Sequence, residues 1–349
     1  MSRRSFIRDL IAGKAVDRPG LWIGKPHEET IRLYCEKTGA RSEEELHRYF
    51  DDDLRWITPH YLKSTYRHPR GLSMRYWKDA NPHGMAGGLL AFTSTTAEVD
   101  AIEWPVAKYL HFDECLAELH QAGDYYRLSG FWSPFFHDLT YLFGTEELLL
   151  KLMLQPEVVH RALEKLCHFY LEANEIFYRQ AKGLIDAMFF GNDFGVQNDL
   201  LLAPEQFDQF FLPWIRKFAE QAHEHGLQVV LHSCGSIYRI LDHIIGAGVD
   251  AIHPIQAKAE NMDAAYLAAH FKGKIAFVGG IDTQKILTTG TAAEVYDETR
   301  RVIGLLGNNI IVGPSHEALL PDVPFENVVA MCNAARGIKA ANYPDNRTA

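Results

Sequence analysis

The segment 228–236, QVVLHSCGS, places a histidine and a cysteine where they could bind a metal. It opens with an apolar, β-branched run and then presents His232 and Cys234 before it ends near Gly235. Side chains two residues apart share one face of a strand, so His232 and Cys234 would point the same way at its carboxyl end. Imidazole and thiolate are preferred zinc ligands. The triplet alone leaves open a buried, hydrogen-bonded histidine beside a small apolar cysteine.

A second histidine follows a later apolar run and could complete this metal site. His316 comes directly after residues 310–315, IIVGPS, which end a predicted strand. We predict that His232, Cys234 and His316 bind Zn²⁺ as three protein ligands. Catalytic zinc sites keep a fourth position open for water or substrate, and Glu317 is a further candidate for it.

An acidic residue follows another predicted strand, upstream of this pair. Asp193 comes after the apolar run 185–190 and is a candidate acid–base residue. The other interpretation is that its carboxylate caps a loop or a helix. Four polar residues near these strand ends are candidate substrate-binding residues, namely Asn192, Gln197, His253 and Gln256.

The elements that must position these residues alternate between short apolar strands and helical segments. This alternation predicts a parallel sheet covered by helices. No GxGxxG follows a predicted strand, which argues against a dinucleotide-binding Rossmann fold. We therefore predict an α/β protein with a (β/α)8 TIM barrel, whose active site lies at the carboxyl ends of the strands. We expect one domain over 1–349, with an N-terminal helical extension in 1–18 and an irregular insertion at 58–100.

Composition excludes several classes of function. The net charge of −10 and the lack of basic runs argue against binding to nucleic acid or to anionic membranes. The five cysteines are scattered, which argues against a disulfide framework and predicts a reducing cytoplasm. No apolar run reaches the roughly 18 residues of a membrane helix. Arg3 and Arg4 are not followed by the apolar region of an export signal, so we predict a helix there.

Several segments together resemble the uroporphyrinogen decarboxylase superfamily. This superfamily includes the decarboxylase itself and the zinc-dependent, corrinoid-linked methyltransferases, and the resemblance implies a (β/α)8 barrel. The segments that carry it are, in chain order, 4–19, 128–134, 191–193, 232–235, 279–284 and 321–324.

The metal motif resembles that of the corrinoid methyltransferases. Their His-x-Cys is followed much later by a cysteine, and His316 holds that later position here. The resemblance implies zinc, a methyl transfer between a corrinoid and a small thiol or O-methyl compound, and a homodimer by analogy. This chain has no Asp-x-His-x-x-Gly corrinoid motif, so we expect a separate corrinoid-binding partner protein. A site with fewer thiolates is a stronger Lewis acid, which slightly favours an oxygen-linked methyl donor.

Comparison with the decarboxylase itself gives an alternative. His316, Tyr141 and one of Asp52 and Asp53, of which we take Asp53, resemble its active-site residues. Its arginine-rich first loop, which pairs with substrate carboxylates, is replaced here by 24–27, GKPH. One lysine replaces bidentate arginines poorly, so a tetrapyrrole substrate is disfavoured.

That loop nevertheless contributes Lys25 and His27 as candidate substrate-binding residues. The remaining alternatives to methyl transfer are a decarboxylase-like lyase and a barrel that binds a corrinoid or another ligand without catalysis.

Overall fold

The computed structural model describes residues 1–85, 87–316 and 318–338, and eight parallel strands form a barrel in this part of the chain. The strand order is β1-β8-β7-β6-β5-β4-β3-β2, and each neighbouring pair in it is parallel. This arrangement confirms the predicted (β/α)8 barrel. The strands are β1 Gly20–Leu21, β2 Leu54–Trp56, β3 Tyr126–Ser129, β4 Ala187–Gly191, β5 Gln228–His232, β6 Ala251–Ile255, β7 Ala276–Ile281 and β8 Ile310–Pro314.

Helices lie between the strands and cover the outside of the barrel. The first eight are α1 Arg3–Ile11, α2 Glu28–Thr38, α3 Glu43–Phe50, α4 Tyr76–Ala80, α5 Thr96–Ala101, α6 Asp113–Gln121, α7 Phe135–Phe143 and α8 Thr145–Leu154. They are followed by α9 Pro156–Gln180, α10 Pro204–Phe210, α11 Leu212–Glu224, α12 Leu241–Gly246, α13 Ala264–Phe271, α14 Ile286–Thr289, α15 Ala292–Leu306 and α16 Phe325–Arg336. No helix in the described ranges is long and apolar enough to cross a membrane.

The N-terminal extension closes the amino end of the barrel. The buried face of α1 packs into the same apolar cluster as strand residues such as Leu54 and Val230. This face consists of Phe6, Ile7, Leu10 and Ile11. Arg4 anchors the helix because its Nε lies 2.9 Å from the carboxylate of Asp186, which precedes β4. Helix α1 therefore covers the amino end of the barrel.

The two ends of the strand order meet at a seam made partly by side chains. The backbone N–H of Asp53 donates to Leu21 O at 2.8 Å, and the Asp53 carboxylate accepts from Leu21 N–H at 3.0 Å. The Asp52 carboxylate accepts from Ile23 N–H at 3.3 Å. Both Asp53 oxygens also bind the guanidinium of Arg18 at 2.8 Å.

Two further side chains bind the Asp52 carboxylate. Arg55 Nη1 lies 2.6 Å from Asp52 Oδ1, and His47 Nδ1 lies 2.7 Å from Asp52 Oδ2. Burial alone would lower the pKa of His47, but the charge and hydrogen bond of Asp52 outweigh it and raise the pKa to about 9. We call this group the seam cluster, with members Arg18, His47, Asp52, Asp53 and Arg55.

Three local features of the structure add to the predicted pattern. The segment 204–224 is divided into α10 and α11, because Pro213 cannot continue the hydrogen-bond ladder. Strand β6 runs on through His253 and Pro254. The irregular insertion at 58–100 contains the short helices α4 and α5, and a 3-10 turn at Pro59–Tyr61 opens it.

Candidate functional site

Strands β4 and β5 are neighbours, and polar side chains at their carboxyl ends converge. Gly191 pairs with His232 in the sheet, so the residues that follow each strand lie side by side. His232 Nε2 lies 3.3 Å from Asp193 Oδ1 and 3.4 Å from Cys234 Sγ. One ligand atom from each of these three residues lies within 4.8 Å of the other two. We call Asp193, His232 and Cys234 the strand-end cluster.

The backbone holds the two loops of the strand-end cluster together. The N–H of Cys234 donates to Asp193 Oδ1 at 2.8 Å. The next residue, Gly235, has φ +84°, and a Cβ there would lie 2.3 Å from the carbonyl carbon of Gly195. Any side chain at position 235 would therefore push the loop after β5 away from the loop after β4.

A histidine from a neighbouring helix completes the surroundings of Asp193. His137 on α7 places its Nε2 3.2 Å from Asp193 Oδ2. Burial alone would raise the pKa of Asp193, but the hydrogen bonds and charges of His137 and His232 outweigh it and hold the pKa well below its usual range. The carboxylate is therefore ionised at neutral pH, as a metal ligand must be.

His253 contacts the opposite side of the His232 ring. The two Nδ1 atoms lie 2.9 Å apart, and His253 is fully enclosed by protein. Burial, followed by the nearby positive charge of His232, holds the pKa of His253 well below its usual range. A neutral His253 can accept the Nδ1–H of His232, and this tautomer leaves the lone pair of His232 Nε2 directed at Asp193 and Cys234.

Aromatic rings form the floor beneath the strand-end cluster. The Trp132 ring lies 5.1 Å from the His232 ring, between centroids, and 5.0 Å from both Trp56 and Phe189. Trp132 also crosses Gly191 so closely that a Cβ there would lie 2.0 Å from its ring. We call Trp22, Trp56, Trp132 and Phe189 the aromatic floor, which excludes water from below the polar groups.

The three atoms of the strand-end cluster suit a zinc ion. Bonds of about 2.0–2.3 Å at tetrahedral angles separate neighbouring ligand atoms by roughly 3.3–3.6 Å. The observed separations of 3.3 and 3.4 Å agree with that range. One carboxylate, one imidazole and one thiol are also a chemically suitable donor set for zinc.

The predicted third ligand, His316, lies in the loop after β8, and its place in the metal set stays a prediction. Its Nδ1 accepts the N–H of Ala318 at 3.3 Å. His316 lines a small cavity of about 50 Å³ beside Gln256 and Asp282. Asp193 joins His232 and Cys234 as a candidate ligand in addition to the predicted set. Glu317 lies outside the described residues.

Three of the predicted substrate-binding residues support loops. The buried Asn192 accepts from Phe136 N–H at 2.8 Å, so it joins β4 to α7. Gln256 accepts the N–H of Gly235 at 2.8 Å, and Gln197 donates to the carbonyl of Lys258. These contacts fix the backbone around the strand-end cluster.

The remaining predicted residues lie farther from the cluster. Lys25 is 3.4 Å from Glu43, and His27 caps α2 by accepting from Glu29 N–H at 3.2 Å. Tyr141 lies one helical turn after His137, where Arg75 and Lys78 each lie 5.6 Å from its ring. Asp53 belongs to the seam cluster, at the amino end of β2, so it is not brought together with Asp193.

His137 is a contact of Asp193 that we did not predict from the sequence. It stands in an apolar helix, between Phe136 and Asp138, and a polar side chain on such a surface is a signal for a special role. Only the position of α7 beside β4 shows that this role is contact with Asp193.

The sequence and the fold of this chain are similar to those of known proteins. Residues 93–338 match the protein family described as uroporphyrinogen decarboxylase (URO-D). The chain is 26% identical over 148 residues to the methylated-thiol–coenzyme M methyltransferase of Methanosarcina mazei. That alignment covers 42% of this chain and 36% of the relative, so the chain matches about a third of that relative's length.

A solved structure has the same fold over almost its whole length. It is described as a methyltransferase from Methanosarcina mazei, and it matches 97% of this chain and 99% of its own, with a TM-score of 0.67. The identity between the two is 16%, so this likeness concerns the fold alone.

Proposed function

The chain belongs to the uroporphyrinogen decarboxylase (URO-D) family, and we propose that it acts there as a zinc-dependent methyltransferase. The observation that carries the proposal is the strand-end cluster, where Asp193, His232 and Cys234 converge with ligand-like separations. The relative that transfers methyl groups from methylated thiols supports the same reaction class.

Zinc bound here would supply Lewis acidity, which holds a thiol as its thiolate or polarises a methyl ether oxygen at neutral pH. Asp193 contributes a second negative ligand that our sequence analysis did not assign to the metal. A site with one thiolate keeps the slight preference for an oxygen-linked methyl donor that we predict from its stronger Lewis acidity. A small thiol and a small O-methyl compound are both suitable substrates.

The surrounding residues orient the ligands and exclude water. His137 and Cys234 N–H each bind one oxygen of Asp193, which fixes the carboxylate in one orientation. His253 holds the His232 ring from the opposite side. The aromatic floor presents an apolar surface on which a methyl group can lie without losing hydrogen bonds.

We propose that the corrinoid arrives on a separate protein that docks at the carboxyl end of the barrel. Helix α1 covers the other end of the barrel, whereas the strand-end cluster lies at this one. We propose action in a reducing cytoplasm, because none of the five cysteines, all of them in the described ranges, forms a disulfide.

Metal content measured by mass spectrometry tests the proposal first. We expect about one zinc per chain in the wild type and a loss of zinc in Cys234→Ser. Cys35→Ser is the matched control, because Cys35 lies on α2 and should leave the metal in place. Absence of metal from the wild type, or equal metal in both variants, contradicts the proposal.

A methyl-transfer assay then separates the two substrate classes. Methylcobalamin formation from cob(I)alamin is followed with a methylated thiol and, separately, with a methyl ether. We expect turnover with one of them and its loss in His232→Ala. Turnover that His232→Ala leaves unchanged would exclude a catalytic role for the cluster.

A further inference from the structure

A second cavity, of about 590 Å³, lies in the insertion that follows β2. Aromatic rings separate it from the strand-end cluster. Trp56 contacts Trp132 with centroids 5.0 Å apart, Tyr61 contacts Trp56 at 6.0 Å, and His60 contacts Tyr61 at 4.8 Å. We call this cavity the insertion pocket; the lining residues that matter here are His60, Lys63, Thr65, Arg67, Arg75 and Lys78.

The insertion pocket is positively charged, although the protein as a whole carries a net charge of −10. Four of its lining residues are lysine or arginine and one is the acid Asp79, while the charge of Arg75 is also paired with the buried Asp138. Asp79 is already hydrogen-bonded, because Ser73 Oγ donates to it at 2.6 Å. Within the described residues, Lys63 and Lys78 take part in no ion pair. The pocket therefore attracts anions.

A buried carboxylate fixes the wall of this pocket. Asp138 on α7 is fully buried and accepts from Arg75 at 2.7 Å, from Trp77 Nε1 at 3.0 Å and from Tyr170 OH at 2.7 Å. Arg75 is therefore held in place before any ligand arrives. A preformed cation lowers the entropic cost of binding an anion.

Two deeply buried polar side chains line the insertion pocket without a hydrogen-bond partner. His60 is 6% exposed and Thr65 is 2% exposed. Both ring nitrogens of His60 and the hydroxyl of Thr65 lack partners in the described part of the chain. Buried polar groups are almost always paired, so these atoms indicate a ligand that supplies the partner.

His60 is suited to donate to such a ligand. Burial, aided by the charges of Arg75 and Lys78, holds the pKa of His60 well below its usual range. The ring is therefore neutral, and one of its nitrogens carries a hydrogen. The Thr65 hydroxyl offers a second donor on the same wall.

We propose that the insertion pocket binds the charged head of a small organic anion, a carboxylate, a sulfonate or a phosphate. Arg75 and Lys78 supply the opposite charge, and His60 and Thr65 donate hydrogen bonds to its oxygens. The site is separate from the strand-end cluster and needs neither zinc nor methyl transfer. An experiment can therefore contradict the anion-binding proposal without contradicting the proposed function.

Calorimetric titration of the full chain tests the proposal, with acetate, methanesulfonate and inorganic phosphate as separate probes. We expect saturable binding of at least one probe, and the one that binds identifies the head group. Lys78→Met should weaken that binding about tenfold or more. Lys217→Met removes an exposed lysine on α11 and should leave it unchanged. Binding of no probe, or an equal response of both variants, overturns the proposal.

Thr65→Val provides a second readout, because it removes the hydroxyl and keeps the shape. If the hydroxyl serves a ligand, the variant should melt at the same or a higher temperature without anion, yet bind the probe several-fold more weakly. A lower melting temperature with unchanged anion affinity would show that the hydroxyl serves the fold, and it would overturn the assignment.

Discussion

The seam cluster and the strand-end cluster both contain a carboxylate bound to a histidine, but the other groups that contact each carboxylate differ. In the seam cluster, Asp53 is bound by Arg18 and Asp52 is bound by Arg55. In the strand-end cluster, Asp193 contacts two histidines and a backbone N–H beside a thiol. No lysine or arginine forms an ion pair with Asp193 within the described ranges.

This difference separates carboxylates that stabilise the fold from those available for chemistry. Arginine neutralises an acid permanently, because its guanidinium does not lose its proton in proteins. Histidine and cysteine can instead give up protons and share a metal with the carboxylate. The position in the barrel agrees, since Asp53 precedes β2 whereas Asp193 follows β4.

The largest expected effect is on folding, from Asp53→Asn. The substitution weakens the pair with Arg18 and one contact to β1, so we expect a loss of about 3 kcal/mol in the free energy of unfolding. Urea denaturation measures it. Asp51→Asn, at an exposed neighbour, is the control and should change stability little. The comparison fails if Asp53→Asn keeps full stability and loses zinc instead.

Asp193→Asn should have the opposite effect, with weaker zinc binding and little change in the free energy of unfolding. Removing a direct ligand charge should weaken zinc binding at least about a hundredfold, because even outer partners of metal ligands contribute ten- to hundredfold. Competition with a coloured chelator measures the affinity. Asp199→Asn removes an exposed acid of the same loop, paired with Arg239, and should bind zinc normally. Unchanged zinc affinity in Asp193→Asn would remove Asp193 from the site.

His253→Phe tests the orienting contact in the strand-end cluster. The ring is kept and the Nδ1 that lies 2.9 Å from His232 is lost, so we expect about tenfold weaker zinc binding. The same chelator competition applies, with His168→Phe on α9 as the control. If zinc affinity stays at the wild-type value, the His253 contact serves packing alone.

The smallest expected effect is a pH dependence in the seam cluster. His47 has a folded pKa of about 9, above its value of about 6.5 in the unfolded chain. Its contribution is therefore complete below pH 6.5 and is lost as the pH rises through about 9. We expect His47→Gln to remove about 1–2 kcal/mol of this dependence, since Glu43, Asp52 and Arg55 share the interaction.

Denaturation of both proteins at a series of pH values measures this difference. The two stability curves should converge toward high pH. Parallel curves would show that His47 does not gain a proton-linked contact on folding.

The sequence predicted much of the barrel because buried parallel strands have apolar runs and their ends carry polar residues. The runs before Asp193, His232 and Cys234 placed these residues at one end of the sheet. The apolar runs did not show which third residue reaches the strand-end cluster. The place of Asp193 beside His232 depends on the pairing of β4 with β5.

Two other features depended on contacts between distant parts of the chain. Asp53 was predicted as a site residue from the resemblance to the decarboxylase, and in the structure it pairs with Arg18 and Leu21. His137 lies 56 residues before its partner Asp193. No local pattern encodes such contacts, whereas Pro213 carries a local signal for the break between α10 and α11.

The pairing of β1 with β8 has a consequence for synthesis of the protein on the ribosome. Gly20 pairs with Ile311, so β1 is synthesised roughly 290 residues before the strand with which it pairs. At about 5–20 residues per second, this delay lasts on the order of 15–60 seconds. During that time β1 lacks the strand that pairs with it in the finished barrel, and its unpaired backbone groups favour aggregation. A chaperone that holds the N-terminal segment would therefore reduce this aggregation.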